Sequence, residues 1–86
     1  MRSFCDSELA VLRTHRFSIS RYSASKESRK YCVEISYAKF ISGKYKIQVK
    51  FVSKKNGHTS DIQYYVNLES AILAASRYLM DGVVYV

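Results

Sequence analysis

Residues 44 to 54 read Lys-Tyr-Lys-Ile-Gln-Val-Lys-Phe-Val-Ser-Lys, and this stretch decides the fold of the 86-residue chain. The odd-numbered positions from Tyr45 to Phe51 are apolar, whereas most even-numbered positions carry lysine or glutamine. A period of two is typical of a strand with one face buried and the other in water. We therefore predict a strand here, and the segments on either side predict that it lies in the middle of a sheet.

The preceding segment, residues 31 to 40, shows the same alternation and predicts the neighbouring strand. A three-residue loop that ends at Gly43 sets Ile35 opposite Val49, so that the apolar faces of the two strands agree. It also places glycine at the loop position that favours a left-handed backbone. A slip of one residue would reverse every side chain, so this register is the one we predict.

On the other side of the stretch, Asn56-Gly57 is a strong signal for a two-residue type I′ hairpin. The predicted strand that follows then pairs its apolar residues with those of the first: Phe51 with Ile62, Val49 with Tyr64, and Ile47 with Val66. The two hairpins together predict a three-stranded antiparallel meander.

A helix is predicted over residues 68 to 80, where apolar residues recur at helical spacing after the N-cap residue Asn67 and before Gly82. The fold class is then α+β: an antiparallel sheet of four strands with one main C-terminal helix packed on one face. Residues 83 to 86 would form a fifth strand at the sheet edge. All 86 residues are assigned to a single domain.

The N-terminal part gives weaker patterns. Residues 8 to 13 predict either a short N-terminal helix or an extension of the next strand. Residues 16 to 22 alternate as a strand. Residues 23 to 30 are polar and basic, which predicts a mobile loop.

The chain is basic, with a formal net charge of +7. Between Arg13 and Lys55, twelve lysines and arginines are opposed only by Glu27 and Glu34. A concentrated positive field of this kind attracts polyanions or acidic protein surfaces. The simpler alternative is that the charge only confers solubility.

No catalytic, metal or cofactor motif is present in the sequence. The cysteines Cys5 and Cys32 match no metal spacing, and each of the three glycines is explained by a turn or a helix end. We therefore expect a protein that is not an enzyme and needs no cofactor. No apolar run reaches the roughly 20 residues of a membrane span, and no secretory signal is visible, so we expect an intracellular, cytoplasmic protein (in a bacterial host if it is phage-encoded) with no membrane partner.

The lysine-bearing face of the predicted sheet is the candidate site. Lysines two residues apart on a strand lie roughly 6.8 Å apart, within the Debye length of ~8 Å, so that their fields add. Lysines mixed with aromatic side chains suit RNA or single-stranded DNA, because ammonium groups contact phosphates while rings stack on bases. The predicted binding residues are Lys44, Lys46, Lys50, Lys54, Tyr65 and Phe40, with Arg21, Lys26, Arg29 and Lys30 from the adjoining loop.

Two other hypotheses remain open. One is a protein–protein inhibitor or adaptor of the kind that phages and mobile elements encode, such as an anti-CRISPR acting on a bacterial defence complex. It would dock on an acidic surface of a larger nucleoprotein machine through residues such as Tyr65, Arg77 and Tyr78. The other is a homodimer formed by pairing of edge strands near residues 16 to 22 or 83 to 86. It also remains open that the lysines only solvate one face of the sheet.

Overall fold

The computed structural model describes residues 2–55, 57 and 59–84. Its elements follow the order α1 (Asp6–Thr14), β1 (Ser18–Ile19), β2 (Ser23–Glu27), β3 (Tyr31–Lys39), β4 (Tyr45–Ser53), β5 (Thr59–Tyr65) and α2 (Leu68–Asp81). The five strands form one antiparallel sheet in the order β1-β2-β3-β4-β5. The predicted α+β class and the interior position of β4 are confirmed. None of the helices in the described part of the chain has the length and apolarity needed to cross a membrane.

The β3–β4 hairpin has the predicted register. Ile35 pairs with Val49 and Val33 with Phe51, and all four side chains are fully buried. Gly43 closes the loop with a φ of 86°, a backbone conformation that side chains disfavour. Matching the apolar faces of the two strands was therefore sufficient to predict this hairpin.

Helix α2 covers the buried face of the sheet. It begins where the Asn67 side chain accepts a hydrogen bond from the Ser70 amide at 2.8 Å, and it ends at Gly82, whose φ is 74°. Its Ala71 and Ala75 are fully buried in one cluster with the apolar residues of β3 and β4. The prediction of this helix is confirmed together with its two capping residues, although the helix ends one residue later than predicted, at Asp81.

Helix α1 packs on the same face of the sheet. Its Cys5 N-cap donates its amide to the Glu8 carboxylate at 2.9 Å, which fixes the first turn. Leu12 is fully buried in the common core. Of the two predictions for this segment, the helix is therefore confirmed and the strand extension is wrong.

The predicted register of the β4–β5 hairpin is wrong by one residue. Phe51 pairs with Asp61 rather than with Ile62, and Ile47 pairs with Tyr65. The ladder passes from Thr59 to Asp61 while β4 advances by only one residue, which marks a β-bulge.

The turn and the bulge together cause this shift. Gly57 has a φ of 67°, and its amide donates to the Ser53 carbonyl at 3.1 Å, which is a wider loop than a two-residue type I′ turn requires. Asn56 and His58 lie outside the described residues. The wider loop and the bulge together place the even-numbered residues of β5 on the side of the sheet away from the helices.

The prediction of a mobile loop at residues 23 to 30 is also wrong. Most of this segment is strand β2, and Ala24 is fully buried opposite Ile35. The predicted strand at residues 16 to 22 shrinks to the two residues of β1, because a tight turn follows it in which the Ser20 amide donates to the Ser23 carbonyl at 2.9 Å. In β2, pairing with β3 outweighs the low strand propensity of the polar residues.

Strand β5 forms one edge of the sheet. The Asp61 carboxylate accepts hydrogen bonds from the backbone amide of Ile62 at 2.8 Å and from the side-chain amide of Gln63 at 3.2 Å.

The strand predicted at residues 83 to 86 is absent from the described part of this segment. Residues 83 and 84 belong to no strand, whereas Tyr85 and Val86 lie outside the described residues. The fifth strand therefore comes from the N-terminal half of the chain.

Candidate nucleic-acid interface

The side of the sheet opposite α1 and α2 is called the open face below. On β4 it carries the even-numbered residues, because Ile47, Val49 and Phe51 are buried beneath the helices. Its side chains from the three C-terminal strands include Glu34, Ser36, Lys46, Gln48, Lys50, Ile62 and Tyr64. All of them are at least partly exposed.

An aromatic pair lies at one end of the open face. The rings of Phe40 and Tyr64 meet edge to face with their centroids 5.0 Å apart. The Lys46 ammonium group lies 5.3 Å from the centroid of the Phe40 ring. Tyr64 keeps 46% of its surface exposed, so its ring remains accessible from solvent. An ammonium group and exposed rings at this spacing can meet a phosphate and a base of the same strand.

Two further lysines, one on β4 and one directly after it, have carboxylate partners. Lys50 lies 3.9 Å from Glu34, and Lys54 lies 3.0 Å from Glu27. Both pairs are half-exposed, so they contribute little to stability and can exchange for contacts with a ligand. Lys44 is exposed just before β4.

Tyr65 does not lie on the open face, contrary to prediction. It pairs with Ile47 on the helix-covered side, where it packs against the core. Burial, and then the nearby Asp61 carboxylate, raise the pKa of its hydroxyl. Its place on the open face is taken by Tyr64, which the sequence had assigned to the core. Only the register of β5 distinguishes the two tyrosines, and no residue pattern in this segment indicates the bulge.

The remaining predicted residues divide into two groups. Arg21 lies in the β1–β2 turn with its guanidinium 5.2 Å from the Tyr22 ring, and Lys26 lies on the covered side with its ammonium 5.7 Å from the Phe17 ring. Lys26 is opposite Val33 in the ladder, so it cannot act together with the lysines of the open face. Arg29 and Lys30 form the β2–β3 turn and approach Lys54 instead.

Three aliphatic side chains in and beside strands β3 to β5 are also exposed. Ile41 is fully exposed in its turn, Ile62 is exposed on the open face, and Val66 follows β5 with 89% of its surface exposed. In contrast, Tyr78, which the inhibitor hypothesis placed in an interface, is buried between Tyr31 and Phe51. Exposed aliphatic side chains favour protein contacts more than contacts with phosphates.

A cluster of hydrogen-bonded side chains at the edge of the helix-covered side of the sheet stabilises the fold. The Tyr37 hydroxyl donates to the Glu8 carboxylate, and the Arg2 guanidinium lies 3.9 Å from the Tyr37 ring. Burial and then the Glu8 carboxylate raise the pKa of Tyr37 to about 12. Burial alone would raise the pKa of Glu8, but hydrogen bonds from Tyr37 and Cys5 and the charge of Arg2 bring it below its ordinary value. These contacts hold α1 against β3.

Within residues 2–55, 57 and 59–84, no three histidine, cysteine or carboxylate side chains are grouped closely enough to hold a metal ion. Both cysteines are free thiols. Comparisons with protein-family models, with curated proteins and with solved structures find no match to this chain. The geometry of the open face is therefore the basis for a functional proposal.

Proposed function

We propose that the protein binds single-stranded nucleic acid on its open face. The observation that supports this function is the aromatic pair of Phe40 and Tyr64 beside Lys46, on a sheet layer that neither α1 nor α2 covers. Bases that stack on an aromatic side chain gain ~1–3 kcal/mol each without any sequence preference. The rings need unpaired bases, because the faces of bases in a duplex are already stacked on one another.

The lysines of β4 supply the electrostatic part of this interaction. Lys46 and Lys50 lie four residues apart on one strand, which corresponds to roughly 14 Å. The phosphates of a strand that runs along β4 would displace Glu34 from Lys50 and Glu27 from Lys54, and would contact Lys44 and Lys46 directly. Binding through these four lysines releases counterions, so the affinity must depend strongly on salt.

The test is a fluorescence-anisotropy titration of a labelled single-stranded oligonucleotide at three salt concentrations. Four phosphate contacts predict that log affinity falls with log salt at a slope of roughly −3. The double substitution Lys46→Ala/Lys50→Ala is expected to weaken binding and to reduce the slope to roughly −1.5.

A matched control removes two positive charges elsewhere. Arg13 lies in the last turn of α1, and Lys39 lies next to the Tyr45 ring on the covered side. Arg13→Ala/Lys39→Ala lowers the net charge equally but is expected to keep the slope near that of the wild type. Binding that does not depend on salt, or equal losses in the two double variants, would contradict the use of the open face.

A second candidate function is docking on an acidic surface of a larger protein machine, as an inhibitor or adaptor. The exposed Ile41, Ile62 and Val66 favour it, because these side chains offer nothing to a phosphate. A pull-down from host lysate with and without nuclease separates the two functions. Retention of one protein complex after nuclease treatment, together with no affinity for free oligonucleotides, would favour the second function over the first.

A further inference from the structure

A basic cleft lies at the end of the sheet remote from the aromatic pair. It has a volume of about 480 Å³ and is lined by Arg29, Lys30, Tyr31, Ser53, Lys54 and Lys55. Four of these six residues are cationic, although they come from two turns that are more than twenty residues apart in the chain. We call this site the basic cleft.

The backbone holds the two turns of the basic cleft together. Tyr31 pairs with Ser53 at the end of the β3–β4 ladder, and the Lys54 amide donates to the Lys30 carbonyl at 2.9 Å. The Ser28 amide and the Tyr31 carbonyl, 2.8 Å apart, close the β2–β3 turn. The positions from which the four cationic side chains extend are therefore set by the sheet.

The charge of the basic cleft is poorly balanced. Lys54 contacts Glu27 at 3.0 Å, whereas Arg29, Lys30 and Lys55 contact no carboxylate within the part of the chain that the structure describes. Four positive charges against one negative charge leave a net charge of +3 around one cavity. The like charges repel one another, and a bound anion would relieve that repulsion.

The amount of charge indicates the kind of anion. A phosphodiester within a strand carries one negative charge, whereas a phosphate monoester carries roughly −1.5 to −2 at neutral pH together with three acceptor oxygens. Arginine matches two of those oxygens with its planar guanidinium group, and lysines supply further point charges. The basic cleft therefore fits a monoester better than it fits a diester.

We propose that the basic cleft binds the terminal phosphate monoester of the strand that lies on the open face. This inference depends on the proposed function. Lys54 connects the two sites, because it follows β4 directly and its even-numbered position continues the series of Lys46 and Lys50 along the open face. A strand that ends in the basic cleft extends over roughly 30 Å of β4 to reach the aromatic pair.

The test compares one oligonucleotide sequence in three forms at physiological ionic strength: unphosphorylated, 5′-phosphorylated and 3′-phosphorylated. We expect one phosphorylated form to bind roughly five- to tenfold more tightly than the unphosphorylated form, the gain from two or three charge-assisted hydrogen bonds. Lys30→Ala/Lys55→Ala should abolish this preference, so that the phosphorylated and unphosphorylated forms bind with equal affinity. The control variant Arg13→Ala/Lys39→Ala should retain the preference.

Equal affinities for all three forms would overturn the proposal while leaving the proposed function intact. A second arm titrates pyrophosphate and follows the backbone amide resonances of residues 29, 30 and 55 by NMR. Shifts there, with no affinity for any oligonucleotide, would support a phosphate site for a free anion and contradict the nucleic-acid function. No shift with pyrophosphate and no preference among the oligonucleotides would overturn the phosphate site itself.

Discussion

Tyr64 is the side chain on which the proposed stacking of bases depends. Its ring contacts Phe40 edge to face, and about half of its surface is exposed on the open face. We predict that Tyr64→Ala weakens binding of a single-stranded oligonucleotide roughly five- to hundredfold, the loss of one stacked base. The measurement is an anisotropy titration at fixed salt.

Tyr45 provides the control for this substitution. It is also half-exposed on a strand, with 39% of its surface accessible, and its ring also contacts one aromatic neighbour, Tyr37. It lies on the helix-covered side of the sheet, so Tyr45→Ala should leave the affinity within about twofold. Each substitution removes an aromatic contact worth roughly 1 kcal/mol of stability. A similar loss of affinity in both variants would contradict the role of Tyr64.

The hydrogen bond between Tyr37 and Glu8 predicts a distinctive pH dependence. Tyr37→Phe removes the donor to a half-buried carboxylate, and we expect it to lower the free energy of unfolding by about 1–2 kcal/mol at neutral pH. Urea denaturation of the wild type and the variant at several pH values measures this difference.

The difference between the two proteins should shrink at both ends of the pH range. The folded-state pKa of Glu8 is below its ordinary value of 4.5, so its contribution is present above pH 4.5 and is lost as the pH falls through the folded value. The pKa of Tyr37 is raised from 10 to about 12, so its contribution is present below pH 10 and is lost as the pH rises toward 12. A difference that stays constant from pH 3 to pH 12 would show that it does not come from this hydrogen bond.

At the scale of elements, the register of β5 decides which of its side chains are buried. Ile62 keeps 40% of its surface exposed, whereas Ile47 on the adjacent strand β4 keeps 2%. We predict that Ile47→Ala costs roughly 2–5 kcal/mol of unfolding free energy and that Ile62→Ala costs less than about 1 kcal/mol. Urea denaturation of both variants measures the two values. Equal costs would indicate that Ile62 is buried in the core and that it pairs with Phe51, as in a two-residue hairpin.

The elements that could be predicted from the sequence share a clear amphipathic pattern. β3, β4 and α2 bury apolar residues at a regular period, and Asn67 and Gly82 mark the ends of the helix. Strand β2 escaped prediction because its only buried apolar residue is Ala24, and its pairing with β3 is a long-range effect. The register of β5 was predicted wrongly because its apolar residues favour burial, whereas the loop and the bulge turn them outward.

The candidate site was predictable only in part, for the same reasons. The lysines of β4 could be placed on one face because their alternation is regular. The presence of Tyr64 rather than Tyr65 on the open face depends on a single bulge, which the pattern of residues does not indicate. The basic cleft is formed by two turns that are distant from each other in the sequence, and the β3–β4 ladder brings them together.

The whole molecule has two unlike sides. Both helices and the core lie on one side of the sheet, and the other side carries lysines and the rings of Phe40 and Tyr64. The broad surface of a sheet cannot enter the groove of a duplex, where the faces of the bases are also inaccessible. We therefore predict that a single strand binds more tightly than a duplex of equal length at the same salt concentration. A competition titration measures the two affinities, and Tyr64→Ala should reduce the difference. Tighter binding of the duplex would indicate a purely electrostatic attraction.

The carboxylate of Asp61 has a consequence for how copies of this protein behave together at high concentration. Strand β5 has apolar side chains on the open face and lies at the edge of the sheet, a combination that in other proteins seeds stacking of chains into fibrils. By occupying the Ile62 amide, this one acidic side chain removes a donor that an incoming strand would need. Pairing of β5 with the same strand of a second copy therefore lacks one of its backbone hydrogen bonds.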